Sequence, residues 1–96
     1  MIYMKNQPTL KLRNHIFERD DYRCIYCGAL GQETDHVIPV KDKGPTISSN
    51  LVCCCKKCNC QKSHQMFSNS KWLQRAIYWL IIHGENTKWM DDWYKP

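Results

Sequence analysis

Seven of the 96 residues are cysteine, and their spacing is the first chemical feature of this chain. Only two pairs, Cys24/Cys27 and Cys55/Cys58, have the C-x-x-C spacing. Two residues between thiolates let one turn aim both sulfurs at an ion about 2.3 Å away, and two such turns complete a tetrahedron. The spacing therefore predicts a closed four-sulfur zinc site, structural because it leaves no coordination position for a substrate. Other donors are at hand. Cys60 and His64 lie four apart on one helix face, and Cys53 or Cys54 can each stand in for Cys55. Because the two C-x-x-C pairs already fill a site, we read Cys53, Cys54 and Cys60 as ordinary small residues, buried or half-buried. A redox C-x-x-C leaves the second pair unexplained. Between the pairs lies ETDHVIPV, with Asp35 and His36 adjacent on a short strand. Alone, that pair is a weak signal, since a single histidine in a small domain is more often structural or exposed.

These residues need elements to hold them. Ninety-six residues suit one domain, 1–96, with a motif core over about 13–62 and a helical extension over about 67–96. A chain of this size buries only about 60–65% of its unfolded surface and needs a staple. Thr9 caps a helix running to Arg19, with Leu12, Ile16 and either Phe17 or Arg19 at helical spacing. YRCIYCGALG is a knuckle-like turn. Glu33 to Val40 and Leu51 to Cys55 are β-prone, joined by the turn-rich KDKGPTISSN, and a helix can follow from Lys56 to about Gln65. Ser70 caps a helix of about thirteen residues that Gly84 ends, apolar widely enough to be largely buried as a lid. In the tail, Trp89 and Trp93 stand four apart, as in a short helix packing both rings onto the domain; a base-stacking platform is the weaker alternative.

Composition removes several classes. At 43% hydrophobic and 24% charged residues the chain is globular rather than disordered. Its longest apolar stretch, AIYWLII, is far short of the roughly 20 residues that span a bilayer. MIYMKNQPTLKLR lacks the apolar region of a secretory signal, so we expect a cytoplasmic protein whose thiols are reduced and favour metal. The formal charge is +5; four thiolates subtract four and a zinc ion adds two, leaving a mild +3 that is compatible with nucleic acid.

In order along the chain, FERDDYRCIYCG, TDHVIPV and NLVCCCKKCNCQK resemble the HNH endonucleases with the ββα-metal (His-Me finger) fold. The resemblance runs from about Arg13 to Lys62. It implies a small α+β fold, a zinc-stapled hairpin flanked by an N-terminal and a C-terminal helix. It also implies roles. His36 matches the general base, Asp35 a ligand of the catalytic divalent ion, and Asn50 a residue that ties the loop and orients the histidine. Asn59 matches the second protein ligand of that ion, and Cys24, Cys27, Cys55 and Cys58 the zinc cysteines of one branch. Lys62 matches a basic position able to contact phosphate, with Lys56 and Lys57 beside it. Ser63 and His64 stand where some members carry a further histidine.

The residue types suit that chemistry. Neutral imidazole accepts a proton at physiological pH. One carboxylate and one amide oxygen favour Mg²⁺ or Mn²⁺ and leave positions open for a phosphodiester. The resemblance implies a DNA substrate, and small free-standing members can act with phage packaging or restriction machinery. The mild charge predicts about 3–5 phosphate contacts on duplex DNA and a log–log salt slope of about −3 to −4. Two rivals remain. A non-catalytic zinc module for nucleic acid or protein explains the cysteines and the charge, but not Asp35, His36, Asn50 and Asn59 together. A thiol redox or metal-handling protein does not explain DHVIP.

Overall fold

The computed structural model describes residues 7–62 and 70–93. Five regular elements follow one another: α1 (Leu10–Arg19), β1 (Glu33–His36), β2 (Leu51–Cys54), α2 (Lys56–Lys62) and α3 (Lys71–Ile82). Single-turn 3₁₀ helices lie at Val40–Asp42 and Ser48–Asn50, and a longer one at Lys88–Asp92. The result is a small α+β fold around a two-stranded antiparallel hairpin, consistent with the ββα-metal fold. None of the described helices is long and apolar enough to cross a membrane.

The hairpin register is Glu33 opposite Cys54, Thr34 opposite Cys53, Asp35 opposite Val52 and His36 opposite Leu51. Cross-strand partners share a face of the sheet. Glu33 and Asp35 therefore lie on the face of Val52 and Cys54, while Thr34 and His36 lie on the other. β2 is buried at all four positions, because α1 packs against the hairpin and the α3 layer covers Val52. The main core joins Ile25, Val37, Ile38 and Val52 to Leu73, Ala76 and Leu80 of α3 and to Met90.

The caps follow from the residues foreseen for them. The Thr9 hydroxyl accepts the Leu12 N–H at 3.1 Å, and that of Ser70 accepts the Leu73 N–H at 3.1 Å. Gly84, at φ +86°, follows the last turn of α3. After α1 the chain turns sharply through Asp21 and Tyr22, both left-handed (φ 57° and 59°). The turn is secured by the Tyr22 N–H on the Phe17 carbonyl at 2.8 Å and by edge-on packing of the two rings.

Two expectations need correction. α3 buries one stripe rather than most of its surface: Leu73, Ala76 and Leu80 face inward, while Tyr78, Ile81 and Ile82 are each more than half exposed. Among the described residues, one layer lies beneath the helix and none above it. In the tail, Trp89 packs on the core and donates Nε1–H to the Ser49 hydroxyl at 2.8 Å, but Trp93 is exposed; Met90 fills the buried place between them. Finally, α2 extends through Lys62, and the continuation expected to Gln65 lies outside the described residues, as do Ser63 and His64.

A buried ionic cluster ties these parts together. Asp20, at the C-cap of α1, accepts Arg19 Nε and Nη2 at 2.7 and 3.0 Å, the Cys53 N–H at 2.8 Å and Trp79 Nε1–H at 2.8 Å. Arg19 also donates to the carbonyls of Ser48 and Leu51 and to Glu85. One acid and one arginine thus join α1, β2, the Ser48–Asn50 turn and α3. Removing one partner of such a pair strands the other's charge. Asp20→Asn is expected to lower unfolding free energy by about 3 kcal/mol, read by urea denaturation of zinc-loaded protein. A loss below about 1 kcal/mol would show that Arg19 holds these elements without it.

Candidate metal centre and active site

The sulfurs of Cys24, Cys27, Cys55 and Cys58 all lie within 4.8 Å of one another, and those of Cys27 and Cys55 are 3.7 Å apart. A tetrahedron with about 2.3 Å metal–sulfur bonds has edges of about 3.8 Å, so this donor set fits zinc. The knuckle forms because Gly28, at φ +82°, lets the chain reverse, with its N–H on the Cys24 carbonyl at 2.8 Å. A bridge between Arg23 and Leu30 closes its base. The second pair sits where β2 passes into α2, and the Cys58 N–H points to the Cys55 sulfur at 3.4 Å. Gln32 couples the halves: its N–H bonds to the Cys54 carbonyl, and its side-chain oxygen accepts the Lys56 N–H.

The other cysteines separate from this group. Burial pushes the Cys53 thiol up to about 11, with Asp20 adding to the effect, and pushes the Cys54 thiol far higher, with Asp35 adding. Both are buried, and neither belongs to the four-sulfur group. Within the group, burial opposes ionisation of Cys24, but hydrogen bonds from the backbone of Cys55, Cys27 and Tyr26 outweigh it and leave that thiol at about 7. Burial and the neighbouring sulfurs push Cys58 strongly the other way. A divalent cation relieves that conflict. Cys60, expected to be at least half-buried, is exposed, two residues past Cys58.

At the other end of the hairpin lie the Asp35–His36 pair and the loop of residues 37–50. His36 is half-buried, and one ring nitrogen (Nε2) lies 2.9 Å from the Thr46 hydroxyl. Burial, then the positive charge of Lys62, lower its pKa below the ordinary value. Asn50 is fully buried. Its Oδ1 accepts the Ile38 N–H at 2.8 Å, and its Nδ2 donates to the carbonyls of Ile38 and Pro45 at 3.1 and 2.8 Å. Gly44 fits beneath this knot because it lacks a Cβ, which would stand 1.8 Å from the Ile38 carbonyl oxygen. Asn50 therefore fixes both ends of the loop that carries Thr46.

The remaining site residues have partners the sequence did not announce. Asp35 Oδ2 accepts Lys62 Nζ at 2.7 Å and the Tyr26 hydroxyl at 3.3 Å. Lys62, expected to face phosphate, is instead buried. The straight run of α2 carries it inward, and its ammonium meets the only kind of group that can compensate it there. Lys56 and Lys57, at the start of α2, are exposed. Asn59 donates Nδ2–H to Glu33 Oε1 at 2.7 Å, bringing α2 onto β1. Glu33, Tyr26 and Thr46 were missed. Glu33 had a signal: it sits two residues before Asp35, hence on the same strand face. Tyr26 and Thr46 had none, because only the tertiary fold brings them to the site.

Residues 24–65 match the family model described as HNH endonuclease. Over this stretch the chain is similar to the HNH endonucleases, and its four-cysteine cluster fits the zinc-binding branch. No curated protein matches the chain.

The geometry predicts one zinc per chain, retained in reductant. Cys58→Ser should lose the zinc and the cooperative fold, since structural zinc supplies about 10–16 kcal/mol of binding energy in small domains. Metal analysis with circular dichroism checks this; a folded, zinc-free variant would remove the assignment.

Proposed function

We propose that this protein is a metal-dependent DNA endonuclease, hydrolysing phosphodiester bonds with His36 as general base. The observation that carries the reading is the placement of His36. Inside the matched HNH segment, it sits beside Asp35 on a strand whose following loop is pinned by Asn50, and its ring is oriented by Thr46. A nuclease-type domain implies a nucleic-acid substrate; DNA is the finer reading.

The donor set beside His36 suits a hard divalent ion. Asp35 and Glu33 offer carboxylate oxygens on one face of β1, Asn59 offers an amide oxygen, and sulfur is confined to the zinc cluster. Asp35 and Asn59 are the residues assigned to hold Mg²⁺ or Mn²⁺. When bound, such an ion polarises the phosphodiester and stabilises negative charge on the leaving oxygen. The chain's own part is to hold the imidazole neutral and oriented. Burial and Lys62 disfavour the imidazolium, so His36 remains able to take the proton of the attacking water at neutral pH. Exposed Lys56 and Lys57 are placed to meet backbone phosphates. A packaging or restriction partner is a further expectation, resting on the resemblance alone.

Supercoiled plasmid incubated with Mg²⁺, Mn²⁺ or EDTA tests the reading. Wild type should nick with metal and not with EDTA, and His36→Ala should keep fold and zinc while losing about 10²–10⁴-fold in rate. Folded, zinc-loaded wild type that leaves plasmid intact would favour the non-catalytic zinc module.

The pH profile carries a sign. A lowered pKa keeps the base deprotonated further into acid, so activity should persist below pH 6.5, the ordinary histidine value, and fall at lower pH. A half-maximal point above that value in the acid limb would contradict the base assignment.

A further inference from the structure

The two charged groups at the heart of the site already neutralise one another. Lys62 Nζ lies 2.7 Å from Asp35 Oδ2, with side-chain exposures of only 3% and 8%. The same oxygen receives the Tyr26 hydroxyl at 3.3 Å. Lys62 belongs to α2 and Asp35 to β1, so the contact also closes the helix onto the hairpin.

We propose that Lys62 is an internal counter-cation that competes with the divalent ion for Asp35 and so sets the ion concentration at which the site loads. The inference rests on the assignment of Asp35 as an ion ligand. It explains how a buried carboxylate is tolerated before an ion arrives: one ammonium compensates it and holds the pocket assembled. A divalent ion approaching Asp35 either displaces Nζ, losing a buried ion pair, or shares the carboxylate with it, in which case two cations repel across a few ångströms. Both routes weaken ion affinity. Lys62 thereby opposes ion binding while stabilising the ion-free fold, two effects that no phosphate-binding surface lysine combines.

The test measures Mn²⁺ affinity of zinc-loaded protein by electron paramagnetic resonance of free Mn²⁺, with thermal unfolding as a second readout. Lys62→Met should bind Mn²⁺ at least about tenfold more tightly than wild type. It should also melt at lower temperature without Mn²⁺ and gain more from added Mn²⁺ than wild type gains. Lys62→Arg keeps the charge and should show no gain in affinity. Should Lys62→Met lack a cooperative transition, Lys62→Gln, which keeps a hydrogen bond to Asp35, carries the same measurement. Unchanged or weaker Mn²⁺ binding in the neutral variants, or an equal gain in Lys62→Arg, overturns the proposal. Asp35→Asn separates the two levels. If it loses Mn²⁺ binding while the Lys62 variants match wild type, the ligand assignment stands and the counter-cation falls. If it binds Mn²⁺ like wild type, the ligand assignment itself falls.

Discussion

The convergence of four sulfurs is the constraint on which the remaining structure depends. Two strands of four residues each make a hairpin too short to stand alone in water. A tetrahedral donor set fastens the knuckle before β1 to the junction after β2, so the hairpin is clamped across its open end. Packing then builds from the clamp outward. Tyr26 and Trp72 flank the sulfur cluster with their rings edge-to-face at 5.1 Å, and Tyr26 also reaches the main core that α3 covers. A metal ion held here would do what a larger apolar interior does in a longer chain.

Polar groups do the rest of the organising, each at a place where apolar packing cannot specify a geometry. Asp20 and Arg19 collect backbone groups from β2 and the Ser48–Asn50 turn, and Asn50 collects those of Ile38 and Pro45. Among the described residues, no buried side-chain nitrogen or oxygen lacks a hydrogen-bond partner. Such networks are costly when incomplete and rigid when complete. Their rigidity is transmitted to His36 through the loop that carries Thr46. His36, the general base proposed for this domain, thus stands on a short strand, yet it is oriented by a loop pinned through buried contacts.

Much of this was legible in the sequence, for local reasons. Cap hydroxyls, C-x-x-C turns and β-branched residues act within a few residues of themselves, so Thr9, Ser70, the two C-x-x-C pairs and the strand starts at Glu33 and Leu51 could be placed from the chain alone, whereas β1 ends at His36 and not at Val40. The misjudged residues depend on what lies across the fold. The burial of Lys62 requires knowing that Asp35 sits opposite. The breadth of the α3 stripe could not say how many layers would cover it, so Ile81 was assigned a shelter that the described residues do not supply. Arg19 was read as part of a helical stripe, but its function is ionic and its partners Asp20 and Glu85 are 1 and 66 residues away.

The four-sulfur cluster also sets the register of the candidate active site. Glu33 and Asp35 are two apart on β1, a step of about 6.7 Å. Their partners Asn59 and Lys62 are three apart on α2, where side chains on one face stand about 5–6 Å from each other. The two spacings are close enough for both polar pairs to form at once, but only in one alignment of helix on strand. That alignment is chosen at the start of α2, where Cys58 is fixed by its sulfur immediately before Asn59. A slip of one residue would rotate the helix by about 100° and present Cys60 in place of Asn59. The sulfur cluster and the oxygen donors proposed for the catalytic ion are therefore chemically separate but geometrically one device: the placement of Cys55 and Cys58 determines which residues of α2 meet the carboxylates of β1.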